Sequence, residues 1–136
     1  MGKPLPILML LSVLLFSVSE VWSADYREGV SAYKSGDYET ALEHFRELAD
    51  DGHTNAQVFL GFMYRRGHGV TRDYEEAVKW YRLAADQGYT GAQNNIGFLY
   101  AKGLGVSRDY KEARKWFKLA ADQGHSGGKP TWEIFT

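Results

Sequence analysis

The sequence contains no cysteine in its 136 residues. This absence excludes disulfide bonds, thiolate nucleophiles and thiolate metal ligands, and it excludes the cysteine that a bacterial lipid anchor requires. The fold must therefore be stabilised by packing. Apolar residues make up 44% of the chain and aromatic residues 15%, which suffices for a buried core and argues against a disordered chain.

An excess of charge of either sign is also lacking. The chain has 16 Lys and Arg against 17 Asp and Glu, so its formal net charge is −1. Because no overall positive field is present to attract a polyanion, the composition argues against a nucleic-acid partner.

A complete phosphate-binding motif is missing as well. Two glycine-containing stretches, at 67–70 and 103–106, suggest a phosphate-binding loop, but no strand is predicted before them and no Lys-Ser or Lys-Thr pair follows. They are therefore predicted to be turns between helices. Most carboxylates lie at predicted helix ends, where capping accounts for them, so we expect no catalytic residue and no cofactor.

The four histidines do not form a metal-binding pattern. His44 has no histidine or acid at the i+4 spacing of a helical metal pair, and a zinc site needs three or four converging ligands, so no metal site is predicted. His53 and His125 occupy the same position of an internal repeat, with Tyr89 at the equivalent position between them, which favours a packing or capping role. His68 lies in the first of the two glycine-containing turns.

The N-terminal segment differs in composition from the rest of the chain. Lys3 precedes a nearly continuous apolar run over 5–18, which is shorter than the ~20 residues of a membrane-spanning helix. Small residues follow around Ser23. We predict a secretory signal over 1–23 that is cleaved after Ser23, and a periplasmic or secreted protein, with a bacterial envelope favoured. An uncleaved membrane anchor is the alternative.

A repeat of 36 residues dominates the remaining sequence. Residues 54–89 and 90–125 align without a gap, and 22 of the 36 positions are identical. Asp73 and Asp109 are each followed three residues later by a glutamate, a pattern typical of the first turn of a helix. Apolar residues then recur at three- and four-residue spacing, so the second half of each unit is predicted to be an amphipathic helix.

A further helix is predicted in the first half of each unit. Thr54 and Thr90 follow a glycine that is expected to end the preceding helix, and their hydroxyls are predicted to cap the next one. Gly61 and Gly97 are predicted to let a neighbouring helix approach closely.

An earlier unit with a shorter connection precedes these two. Asp37 lies 36 residues before Asp73, whereas Tyr33 aligns with Tyr64, so this unit is predicted to lack five residues, those at 68–72.

The repeated pattern A-x-x-x-x-G-x-x-Y-x-x-G-x-G-V-x-x-D-Y-x-x-A-x-x-W-[YF]-x-x-A-A-x-x-G resembles the Sel1-like repeats, which are relatives of the tetratricopeptide repeat. It occurs at 56–88 and 92–124, while the unit at 24–53 is more similar to an ordinary tetratricopeptide repeat. The resemblance implies an all-α fold, a short right-handed α-solenoid of antiparallel helix pairs. Cysteine-rich Sel1-like proteins have been linked with β-lactam hydrolysis, but this chain lacks the cysteines of that subgroup.

The last eleven residues, 126–136, depart from the pattern and are predicted to be an irregular tail. Gly127, Gly128 and Pro130 disfavour a helix there. The apolar residues at 132–135 either fold back over the last helix pair or leave that edge open to a partner or a second copy. We therefore expect a monomer or weak self-association through this edge.

Comparison of the units indicates where a partner binds. One face of the predicted first helices carries a phenylalanine at the same position in both units, among polar and basic positions that differ. These residues are Asn55, Val58, Phe62, Arg65 and Arg66 in one unit and Asn94, Phe98 and Lys102, with Gly91 and Ala101, in the next. The two rings either line a peptide-binding groove or pack between adjacent repeats.

These features favour an exported scaffold or adaptor that binds a protein or peptide on its concave surface and does not contact a membrane after signal cleavage. Two alternatives are a cell-envelope hydrolase and an inhibitor or immunity-type binding protein.

Overall fold

The structure, a computed structural model, describes residues 2–3 and 7–124, and the regular secondary structure within them is entirely α-helical. Helices that are consecutive in the chain pack against each other. This confirms the predicted α-solenoid of stacked helix pairs. The helices are α1 (Ile7–Ser35), α2 (Tyr38–Asp50), α3 (Thr54–Arg66), α4 (Tyr74–Asp86), α5 (Thr90–Lys102) and α6 (Tyr110–Gln123).

The second helix of each later unit begins at the predicted aspartate. The Asp73 carboxylate accepts hydrogen bonds from the backbone N–H groups of Glu75 and Glu76, at 3.0 and 3.1 Å, and Asp109 caps α6 in the same way. The backbone N–H of Asp73 donates to the carbonyl of Tyr64 in the preceding helix, at 2.9 Å. Each aspartate thus starts one helix and ties it to the end of the other.

The predicted caps of the first helices are wrong. The N-cap residues are His53 and Tyr89, and Thr54 and Thr90 are already the first helical residues. The Nδ1 atom of His53 accepts from the backbone N–H of Ala56 at 3.2 Å, whereas Tyr89 has no capping side-chain bond. Because the preceding helix closes at a glycine with φ near +90°, one extended residue suffices to connect the two helices.

The alignment of the first unit is also wrong by one residue. A Cβ atom on Gly29 would lie 2.8 Å from Phe45, just as one on Gly61 would lie 2.7 Å from Tyr81. Gly29 and Gly61 are therefore equivalent positions of α1 and α3, and they lie 32 residues apart in the sequence. Asp37 and Asp73, which begin the second helices, lie 36 residues apart. The first unit therefore lacks four residues rather than five. The sequence alignment paired Tyr33 with Tyr64. In the structure the counterpart of Tyr64 is Ala32, because the Ala32 carbonyl accepts from the Asp37 N–H just as the Tyr64 carbonyl accepts from the Asp73 N–H.

Buried side chains form two clusters that cross the junctions between units. One cluster of buried apolar side chains joins α2 to α3, and a second joins α4, α5 and Trp116 of α6. Two buried glutamines connect the same junctions, because Gln57 donates to the Ala49 carbonyl at 3.3 Å and Gln93 to the Ala85 carbonyl at 3.1 Å. Buried apolar and polar contacts therefore join each unit to the next.

Within the described residues, none of the helices combines the length and apolar character that crossing a membrane requires. The predictions for His125 and for the tail at 126–136 lie outside the described residues.

Candidate functional site

The predicted binding residues lie on one face of α3 and α5, which we call the first-helix face. Asn55, Arg66, Gly91 and Lys102 are exposed. Val58, Phe62 and Phe98 pack against the core cluster of α4, α5 and α6, so both rings contribute to packing and also keep an accessible part. The half-buried members are Val58, Phe62, Arg65, Asn94 and Phe98.

The two arginines of this face lie over its phenylalanines. The guanidinium carbon of Arg65 is 5.2 Å from the ring centroid of Phe98, and that of Arg66 is 5.4 Å from the ring centroid of Phe62. Arg65 also donates to the Asn95 side-chain oxygen at 3.1 Å. Because attraction to an aromatic face restricts a guanidinium without neutralising it, the charges stay available for a partner.

An aromatic cluster beside Phe62 was not predicted. The Tyr33 hydroxyl lies 2.7 Å from Nδ1 of His68, and the His68 ring stacks on Tyr38 with centroids 4.5 Å apart. Tyr33 contacts the edge of Phe62 at 6.1 Å, and burial raises the pKa of its hydroxyl. These residues come from α1, α2 and a loop, so only the way the units stack brings them together.

The charge composition of α3 and α5 differs from that of α2. Helices α3 and α5 contain no aspartate or glutamate, and their charged residues are Arg65, Arg66 and Lys102. Helix α2, by contrast, carries four acidic residues and one arginine. A chain whose net charge is −1 therefore has a local basic surface with aromatic rings in it, which is suited to carboxylate and apolar groups together.

Comparison with known proteins agrees with this architecture. The sequence model of the Sel1 repeat matches the chain three times, over residues 24–53, 54–89 and 90–125. Sel1 repeats generally act as non-enzymatic scaffolds for protein–protein interactions.

Solved structures of larger proteins resemble the chain. A Sel1 repeat protein from Oxalobacter formigenes matches with a TM-score of 0.70 and 39% identity, over 74% of this chain and 41% of that chain. A protective antigen of uropathogenic Escherichia coli strains, which displays an SLR fold, matches with a TM-score of 0.73 and 39% identity, over 85% of this chain and 26% of that chain.

Two further relatives are more distant or match over a shorter span. Cysteine rich protein B of Helicobacter pylori has a TM-score of 0.61 at 20% identity, covering 79% of this chain and 91% of that chain, and shares the fold alone. An exopolysaccharide production negative regulator of Rhizobium leguminosarum bv. viciae is 43% identical over 47 residues, which is 35% of this chain and 18% of the regulator. The chain therefore spans less than a fifth of that curated relative.

Proposed function

Because this chain belongs to the Sel1 repeat family, we propose that it is an exported scaffold that binds an acidic peptide segment of another protein on its first-helix face. We take the first-helix face to be the concave surface of the solenoid, on which the partner binds.

The observation that carries this proposal is the absence of acidic residues from α3 and α5 beside three basic ones. Carboxylates of the partner pair with Arg66 and Lys102, which are exposed. An apolar side chain of the partner contacts the accessible parts of Phe62 and Phe98. Charge complementarity of this kind speeds association and orients the peptide, while the rings contribute buried area.

A random peptide display library tests the chemistry of the partner. We expect the selected peptides to be enriched in Asp and Glu next to an apolar residue, and their affinity to fall as ionic strength rises. Isothermal titration calorimetry of the best peptide then compares the chain with the double variant Arg66→Glu and Lys102→Glu. We expect at least about a tenfold loss, which corresponds to about 1.4 kcal/mol.

A matched control reverses two exposed basic residues elsewhere. Lys111→Glu and Lys118→Glu on α6 change the net charge by the same amount but lie off the first-helix face. If both double variants lose the same affinity, binding reflects net charge alone. A library that yields no binder, or binders that ignore Arg66 and Lys102, contradicts the proposal.

Export is supported by the N-terminal composition. Expression with a C-terminal tag, followed by fractionation and intact mass measurement, is expected to find a periplasmic chain beginning at Ala24. Such cleavage would remove Trp22, whose ring contacts His53 edge-on at 6.2 Å, but would keep Tyr26 stacked on His53 at 5.0 Å. A full-length chain in the cytoplasmic fraction contradicts export.

A further inference from the structure

Three side chains with metal-binding atoms meet between α1 and α2, away from the first-helix face. They are Asp25 and Glu28 of α1 and His44 of α2, and one ligand atom from each lies within 4.8 Å of the others. The His44 Nε2 atom is 3.6 Å from a carboxylate oxygen of Glu28. Asp25 and His44 are half-buried, and Glu28 is exposed. We call these residues the α1–α2 cluster.

The other two units show which residues occupy the positions equivalent to Asp25, Glu28 and His44. The offsets of 32 residues for first helices and 36 for second helices were established from the glycine contacts. They make Gln57, Leu60 and Trp80 the counterparts in the second unit, and Gln93, Ile96 and Trp116 the counterparts in the third.

Those counterparts are packing residues. Leu60 and Trp80 contact the same core cluster, and Ile96 and Trp116 belong together to the other. In the first unit, the apolar pair is replaced by Glu28 and His44, and the glutamine by Asp25. All three replacements are metal-ligating side chains, and they converge across two helices. Exposure of the first unit to solvent would explain polar residues at these positions, but it would not explain why the ligand atoms of three side chains lie close together.

We propose that the α1–α2 cluster binds a divalent transition-metal ion such as Zn²⁺. The ligands are Nε2 of His44 and one carboxylate oxygen each from Asp25 and Glu28, and water completes the coordination. An imidazole with two carboxylates favours zinc or nickel over magnesium and calcium, which prefer oxygen ligands alone. The predicted cleavage after Ser23 leaves all three ligands in the mature chain.

Binding at this position links the two helices of the first unit. A ligand that binds only the folded state raises stability in proportion to the logarithm of its concentration above Kd. Within the described residues, the first unit packs against one other unit, through α2 and α3. The ion therefore stabilises the first unit. In the second and third units, Leu60 and Ile96 stabilise the corresponding position through apolar packing.

Calorimetric titration of the full chain with ZnCl₂, paired with thermal unfolding, tests the site. We expect one Zn²⁺ per chain, a Tm that rises with Zn²⁺ concentration, and no comparable rise with MgCl₂. His44→Gln and Glu28→Gln are each expected to weaken Zn²⁺ binding about tenfold or more, as loss of a ligand or its supporting partner does. Glu28 is exposed, so Glu28→Gln is expected to fold normally even if a variant of His44 does not.

Two matched controls remove the same group types elsewhere. Glu75→Gln removes an exposed carboxylate from α4, and His68→Gln removes a half-buried histidine from a loop. Both are expected to keep Zn²⁺ affinity and the Tm rise. Failure of the full chain to bind Zn²⁺, or equal binding by all four variants, overturns the proposal, whereas selective loss in Glu28→Gln supports it.

Discussion

A single glycine position sets the distance between the two helices of every unit. A Cβ atom on Gly97 would lie 2.6 Å from the Phe117 ring, and the contacts of Gly29 and Gly61 are similarly short. The opposing residue is always a large ring, and in the second unit it is Tyr81. The missing side chain of the glycine therefore makes room for an aromatic ring that fills the space between the helices.

Gly61→Ala is expected to destabilise the fold by about 1–3 kcal/mol, the usual cost of overpacking a core. The Tyr81 ring is fully buried, so it cannot move away from a new methyl group without displacing its neighbours. Urea unfolding followed by circular dichroism measures the effect.

The control for this change is Gly91→Ala, in the first turn of α5. Gly91 is exposed, and its nearest neighbour is the exposed ring of Tyr89, which is free to shift. Alanine there is expected to be neutral or to stabilise by up to about 1 kcal/mol, through helix propensity and the unfolded state. Equal losses for both variants contradict the packing explanation.

His53 makes the junction between α2 and α3 sensitive to pH. Burial lowers the pKa of its imidazole from 6.5, and its neutral Nδ1 atom accepts the hydrogen bond that caps α3. The folded state therefore binds protons less readily than the unfolded state. The contribution of His53 to stability is complete above pH 6.5 and is lost as the pH falls from there through the lowered pKa.

We expect His53→Asn to flatten the acid side of the stability profile. Asparagine keeps a capping oxygen and does not titrate, so the free energy of unfolding should fall less between about pH 7 and pH 5 than it does in the wild type. The other three histidines are unchanged and contribute equally to both proteins. Parallel pH profiles for the two proteins show that His53 is not the source of the acid sensitivity.

At the scale of helices, the contacts between units are repeated as faithfully as those within them. Arg46 of α2 donates to the Tyr64 hydroxyl at 3.0 Å, and Arg82 of α4 donates to the Tyr100 hydroxyl at 3.3 Å. Gln93 donates across the same α4–α5 junction, to the Ala85 carbonyl, and is 1% exposed. Polar groups thus fix the register of each helix on its neighbour, while apolar groups supply the buried area.

Gln93→Glu is expected to destabilise the fold by about 3 kcal/mol near neutral pH, because it buries a carboxylate against the carbonyl of Ala85. The loss should shrink as the pH falls and the new side chain becomes protonated. Denaturant unfolding at pH 5 and pH 8 measures both effects. Gln123→Glu, at an exposed position of α6, is the matched control and is expected to stay close to wild type.

Sequence periodicity was sufficient for the helices but not for the contacts between them. Asp73 and Asp109 marked helix starts because capping depends on a local pattern. Thr54 was assigned wrongly because the choice between it and His53 depends on how the preceding helix ends. The α1–α2 cluster was missed because the two carboxylates that converge on His44 come from another helix, and spacing along one helix carries no information about them.

At the scale of the whole molecule, each unit depends on its neighbours. The second core cluster joins α4 to α5, where Ile96 and Leu99 are fully buried. The three units that the structure describes have two such junctions, and about three repeats is the minimum for independent stability. Loss of one junction should therefore affect the entire chain rather than one end.

A chain ending at Tyr89 removes the third unit and leaves Ala84 and Ala85 of α4 without the residues that bury them. Loss of the Ile96 and Leu99 contacts alone is expected to cost about 3–6 kcal/mol, at roughly 1.5–3 kcal/mol for each buried side chain. This is comparable to the total stability of a small domain, so the shortened chain should be largely unfolded at 25 °C. A chain ending at Gly124 separates the effect of the last residues from that of the third unit. Circular dichroism and thermal unfolding of the three lengths decide the matter, and a two-unit chain with the full-length Tm would show that the α4–α5 junction does not stabilise the rest.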